Sequence, residues 1–168
     1  MSHRALFFDF IQTPFGKFQV AATRQGLSRI CFPHRRSALA KSKKIPSRVQ
    51  KVLRVGKQFL RDFFSGKVNR PKRIPIDLNS VSAFDQCVLK RLGRIPLGKT
   101  MSYHDLAKLC RMPRAARAVG NALHRNPIPI LIPCHRVIRK DETLGGYGGG
   151  IQWKRLLLRL EQGSENPR

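Results

Sequence analysis

The chain has 168 residues, room for one ordinary domain or two small ones, and its 41% hydrophobic content excludes a disordered tail. Its 34 Lys+Arg against 9 Asp+Glu give a net charge of +25, which points to an acidic polymer as partner, nucleic acid first and an anionic membrane second. No run reaches the roughly 18 apolar residues of a spanning helix, and the start MSHRALFFDF lacks a signal peptide's apolar core and cleavage site, so a soluble intracellular protein is expected.

The first thirty residues read as strands. ALFFDFIQ is an apolar run rich in β-formers, and TPFG supplies a turn. In KFQVA the side chains of Phe18, Val20 and Ala22 alternate with Lys17, Gln19 and Ala21, as on a half-buried strand. TRQG turns again into LSRICF, completing a small antiparallel meander. Residues 35–46 are basic and form a connector. A helix follows, with Ser47 as the expected N-cap and Gly66 as the stop signal. Val49, Val52, Leu53, Phe59, Leu60, Phe63 and Phe64 take its inner face, and Arg48, Lys51, Arg54, Lys57 and Arg61 its outer one. SGKVNRPKRIPIDLNS reads as a linker, dividing the chain into domains 1–78 and 79–168.

In the second half the hydrophobic period changes from two to 3.6. Ser82 with Asp85 resembles a capping box and opens a helix with Phe84, Cys87, Val88 and Leu92 inward. Ser102 and Asp105 repeat the cap before YHDLAKLC, whose Leu106, Leu109 and Cys110 point inward. RMP breaks that helix, and RAARAVGNALHR starts another. Two short helices around a tight break, in so basic a protein, point to a helix-turn-helix. On the second helix Arg114, Arg117, Asn121 and His124 share one face by three- and four-residue spacing, the expected nucleic-acid face. Ala115, Ala118 and Gly120 are small enough for a partner to approach closely. IQWKRLLLRLEQ makes a last helix with Trp153, Leu156, Leu157 and Leu160 inward. The fold class expected is α+β: a small antiparallel-sheet domain with one helix, then a mostly helical domain with a helix-turn-helix and a cysteine-bearing loop.

NPIPILIPCHRVIRK carries that cysteine. Pro127, Pro129 and Pro133 remove backbone donors and stiffen the loop that presents Cys134. A thiolate is the attacking form, so Cys134 needs a base or a positive environment. His135 is adjacent but points away on an extended chain, so it would need a water or a turn. Arg136 supplies either positive potential or a structural ion pair. None of Cys31, Cys87, Cys110 and Cys134 forms a CxxC pair, and the CxxH of Cys31 and His34 has no second half, which leaves it structural.

SYHDLA, AARAVGNALHRNPIPILIPCHRV, GGYGGG and LLRLEQG together resemble the O6-alkylguanine-DNA alkyltransferases, the methylated-DNA–protein-cysteine methyltransferases. The likeness covers residues 82–163 and is looser before them. It implies DNA repair by stoichiometric transfer of an alkyl group from O6 of guanine, also O4 of thymine, to Cys134, which is consumed. His135 matches the base acting through water, Glu161 the carboxylate that orients it, and Tyr103 the proton donor to the leaving base. Arg117 matches the finger that fills the gap of the flipped nucleotide. Arg114, Asn121, Ser102, Ala118 and Arg125 join it as expected DNA contacts. Asn126 matches the hinge, and Pro129, Val137, Tyr147 and Gly148 the base and alkyl pocket. The partner implied is double-stranded DNA, entered from the minor groove. Neither a cofactor nor a membrane is implied, and the state is monomeric, with cooperativity on DNA open.

Two departures stand out. The zinc-site positions of some relatives hold Arg4, Thr23, Ser28 and Ile74 here, so no metal is expected. Gly148 replaces a serine at the pocket rim, leaving only a backbone N–H there. Three other readings compete: an alkyltransferase-like lesion binder, which would lack the acceptor cysteine; a plain basic helix-turn-helix module; and a cysteine hydrolase, for which no oxyanion-hole signature is visible.

Overall fold

The computed structural model describes residues 5–33, 42–67 and 74–163. The fold is α+β. The chain divides into two compact units, Met1–Ser80 and Val81–Arg168, where the expected boundary lay after residue 78.

In the first unit β1 (Phe7–Thr13), β2 (Gly16–Ala22) and β3 (Leu27–Cys31) form an antiparallel sheet in that order. Gly16 sits at φ +111°, which lets the Pro14–Phe15 turn close. The alternation in β2 implies one wet face, but Gln19 and Ala21 are buried as well. On that face Gln19 and Ala21 stand opposite the large Phe10 and Phe8 of β1, while Lys17 stays exposed. Ile74–Asp77, read from sequence as linker, extends the sheet region: Leu27 N–H donates to Pro75 and Asp77 N–H to Leu27, both at 2.8 Å. Thr23 Oγ1 donates to Asp77 (2.6 Å) and Ser28 Oγ to the Ala21 carbonyl. Arg4 and His34 lie outside the described residues.

Helix α1 (Ser47–Phe64) lays the expected apolar stripe on the sheet, with Phe18 and Phe64 rings 5.1 Å apart. Full burial of each such side chain is worth about 1.5–3 kcal/mol, so this stripe, not surface charge, holds the helix down. Two expectations need correction. Ser47 is not the cap; Pro46 occupies that position and no side-chain cap bond forms. Lys57 is not on the solvated face, because it reaches the buried carboxylate of Asp9. At the other end Gly66 (φ +72°) donates to Phe63 and Lys67 to Asp62, a Schellman stop that needs a left-handed residue.

In the second unit α2 (Ala83–Leu92) is capped by Ser82, whose hydroxyl accepts from Asp85 N–H. The capping box is only half made, since the Asp85 carboxylate is held by Arg125 instead. Leu89 is buried where Phe84 was expected, and Cys87 is half-exposed with its sulfur 3.0 Å from Arg91, not core filler. Helix α3 (Tyr103–Leu109) buries Leu106 and Ala107 while Leu109 stays exposed, and Cys110 is buried. The helix-turn-helix break is made by Arg111 at φ +60°: its N–H donates to Lys108 and that of Met112 to Ala107. A non-glycine residue pays roughly 1–2 kcal/mol for that conformation. Helix α4 (Ala116–His124) then buries Val119, Ala122 and Leu123.

One pairing has no counterpart in the sequence pattern. β4 (Met101–Ser102) runs parallel to β5 (Val137–Ile138), tying the start of α3 to the chain just beyond Cys134. Helix α5 (Ile151–Glu161) buries Lys154, Leu157 and Glu161, while Trp153, Leu156 and Leu160 are only half-buried. No helix among the described residues is long and apolar enough to cross a membrane.

Candidate active site

Cys134 opens a 3₁₀ turn, Cys134–Arg136, so the chain is bent where an extended one would send His135 away. The loop before it is locked by its own bonds. Asn126, at the end of α4, accepts from Ile128 N–H (3.0 Å) and donates through Nδ2 to the Ile132 carbonyl (2.9 Å) and to Cys134 Sγ (3.1 Å). Cys134 N–H donates to Ile132 at 2.8 Å. Between them Ile130 takes φ +73°, a costly conformation for a β-branched residue that the flanking prolines and these bonds hold in place.

Behind the thiol lies a buried charge network. His135 Nε2 is 2.6 Å from Glu161 Oε1, and Arg136 grips both Glu161 oxygens, with Nε 2.8 Å from Oε2 and Nη2 2.9 Å from Oε1. Arg136 also donates to the Ile95 carbonyl, and Gly98 N–H to Glu161 at 3.2 Å. Arg136 is therefore a structural ion partner, the alternative that sequence left open. Burial pushes the Glu161 carboxyl up, but the bonds from His135 and Arg136 outweigh it and hold it at about 2. Burial pushes His135 down, against the opposing pull of Glu161. The resting pair is thus a neutral imidazole against a carboxylate that Arg136 balances.

Lys154 was not singled out in the sequence, and it is fully buried. Its ammonium donates to the carbonyls of Val137 (2.6 Å) and Leu144 and lies 5.8 Å from the Tyr103 ring centre. Burial lowers its pKa to about 8, with Cys134 pulling the other way. Its signal was spacing: 154, 157 and 161 share one face of α5 with the carboxylate. Burial raises the Cys134 thiol, opposed by hydrogen bonds from Asn126 and Tyr147 and by the Lys154 charge. Tyr103 is raised by burial and by Cys134, so its hydroxyl stays protonated at neutral pH.

In front of the sulfur is a cavity of about 610 Å³, lined by Tyr103, Arg117, Asn121, His124, Cys134, Arg139, Tyr147 and Gly148 among others, with no acid. A Cβ at Gly145, which sits at φ +64°, would crowd the Tyr103 hydroxyl at 3.3 Å, whereas one at Gly148 would make an ordinary contact with the His124 carbonyl at 3.4 Å. Gly120, expected to face an outside partner, packs by the Tyr103 ring instead. Arg114 and Ala118 are exposed, Ala118 on α4 and Arg114 just before it. Pro129 and Val137 are buried but do not line the cavity. Ser102 is occupied as the α3 cap, bonding Asp105 N–H and carboxylate. Arg125 makes a two-point ion pair with buried Asp85, 2.8 Å at each contact, which is a scaffold bond. Arg139 and Lys154 are the site residues that sequence reasoning missed.

A thiol, a neutral base with its carboxylate, a protonated phenol and a basic cavity form a nucleophile–base–acid set at one site. Residues 83–163 match the family described as 6-O-methylguanine DNA methyltransferase, DNA binding domain. The chain is 34% identical to a methylated-DNA–protein-cysteine methyltransferase of Haemophilus influenzae, over 94% of this chain and 87% of that one. It is 36% identical to one of Methanosarcina barkeri, over 94% and 98%. Among solved structures it resembles Mycobacterium tuberculosis OGT in complex with DNA, with a TM-score of 0.81, 34% identity, and 94% and 93% of the two chains covered.

Proposed function

Because the chain belongs to the methylated-DNA–protein-cysteine methyltransferase family, we propose that it repairs O6-alkylguanine in DNA, and O4-alkylthymine, by moving the alkyl group to Cys134. The observation that carries this is that Cys134 and Tyr103 line one cavity with no acid in its lining, while His135, next in the chain, is paired with buried Glu161.

The proton leaves the thiol for His135 Nδ1 through an intervening water, and Glu161 stabilises the imidazolium that forms. Asn126, Tyr147 and Lys154 favour the thiolate, while burial keeps the resting thiol protonated and unreactive toward stray electrophiles. The thiolate attacks the alkyl carbon in line. A sulfur–carbon bond forms, the carbon–O6 bond breaks, and its electron pair goes to the guanine. Tyr103 supplies a proton to the leaving base. The thioether persists, so each molecule acts once, and a monomer suffices.

Since O6 lies inside a base pair, the nucleotide must leave the stack, at a cost of a few kcal/mol. Arg117, exposed on α4 and lining the cavity, is suited to fill the gap. Arg114, Asn121 and Ala118 share its exposed side, and entry is from the minor groove. The acceptor being present disfavours a lesion binder without transfer. The reading puts the protein on DNA in the cytoplasm.

Intact-mass measurement after incubation with O6-methylguanine DNA tests this. One added methylene on Cys134 and no turnover beyond one equivalent are expected. Continued turnover, or an adduct elsewhere, would sink the mechanism.

A further inference from the structure

Among the described residues, those lining the Cys134 cavity all belong to the second unit, yet 18 Lys+Arg and 3 Asp+Glu fall in residues 1–80, a net +15 of the chain's +25. Its acids are engaged internally: Asp9 by Lys57, Asp77 by Thr23 and Asn79, and Asp62 by Gln58. At the start of α1 lies a second cavity, of about 560 Å³, lined by Ser42, Lys43, Gln50, Lys51, Arg54 and Lys57 among others. Among the described residues that line it the acid is Asp9, which Lys57 already neutralises. Lys43, Lys51 and Arg54 are exposed, and among the described residues no carboxylate pairs with them. The missing side-chain cap leaves first-turn amides of α1 as further donors at this rim.

We propose that this basic cavity binds backbone phosphates of duplex DNA, separate from those at the lesion pocket; the inference rests on the DNA-repair reading above. Three cations around one concavity, with no carboxylate partner among the described residues, suit the repeated negative charge of a phosphate backbone. A membrane surface fits less well, because α1 turns its apolar stripe to the sheet and its outer face offers only Val55 as a large exposed apolar residue. A duplex grips such a surface by charge alone and needs no apolar anchor.

The test compares two full-length variants, Lys43→Gln/Lys51→Gln/Arg54→Gln and the charge-matched control Arg24→Gln/Arg29→Gln/Lys67→Gln, on the same unit but off the cavity. Binding to a long undamaged duplex is measured against salt. Every phosphate that the protein no longer neutralises lowers the log–log slope by about 0.9, so the slope should fall by about 2–3 in the cavity variant and by less than about 1 in the control. Alkyl transfer from the free modified base should be unchanged in both. Equal slopes in the two variants would overturn the proposal in favour of diffuse net charge. Unchanged DNA slopes with weakened binding to phosphatidylserine vesicles would overturn it in favour of a membrane. If free-base transfer to Cys134 fails in the unaltered protein, the repair reading falls while the slope comparison still stands.

Discussion

Glu161 Oε1 lies 2.6 Å from His135 Nε2, and neither side chain is exposed to solvent at all. The same carboxylate is clamped by Arg136, so one anion both orients the imidazole and balances a guanidinium. Removing the anion therefore strikes the base and the scaffold together.

Glu161→Gln keeps the size but leaves Arg136 as an unbalanced, nearly buried charge. Breaking such a pair costs about 3–5 kcal/mol, and losing the oriented base slows transfer by on the order of a hundredfold or more. Denaturant unfolding and single-turnover transfer from free base measure the two losses. Wild-type stability in this variant would show that Arg136 does not depend on the carboxylate.

The acid limb of stability follows from the same residue. Its folded pKa, about 2, lies below the ordinary 4.5. The unfolded chain thus takes up the proton first, so the stabilisation is complete above the ordinary value and lost as pH falls from there toward about 2. Unfolding midpoints across that window should drop in the wild type and change less in Glu161→Gln. Parallel profiles would remove Glu161 as the source.

Lys154→Met removes a positive charge that favours the Cys134 thiolate. The pH dependence of Cys134 alkylation by iodoacetamide should move to higher pH, and transfer at neutral pH should slow. Transfer that slows with no shift in the thiol profile would mean that Lys154 only holds the Val137 and Leu144 carbonyls in position.

Two arginines of the helix-turn-helix should behave oppositely. Arg117→Ala is expected to weaken repair of duplex DNA and to spare reaction with the free base. Arg125→Gln leaves the buried Asp85 carboxylate without its two-point partner, so thermal stability should fall while duplex affinity changes little. Equal loss of free-base and duplex repair in Arg117→Ala would rule out the gap-filling role.

Local pattern carried much of the fold because local pattern is what makes its elements. The apolar spacing of α1, the Ser82 and Ser102 caps and the three-strand meander depend on near neighbours, and all form. The errors sit where a distant group intervened. Lys57 left the solvated face because Asp9 stands within reach, Asp85 left its capping box because Arg125 claimed it, and Gln19 and Ala21 of β2 are buried beside Phe10 and Phe8, their cross-strand neighbours on β1. Lys154 stayed hidden because a lysine on a terminal helix is ordinarily solvated. The carbonyls of Val137 and Leu144, with the Tyr103 ring nearby, make its burial tolerable.

By itself the sequence determined the class of the protein: the stiff loop bearing Cys134, the basic helix-turn-helix and the spacing of Glu161 from His135 are covalent facts of residue order. The tertiary structure alone decided which charges are balanced and which remain available, since charge pairing depends on distances across the fold. Arg136 and Arg125 are held in ion pairs, Lys154 is buried beside the thiol's loop, and Lys43, Lys51 and Arg54 stand around a cavity whose acid, Asp9, is paired with Lys57 instead.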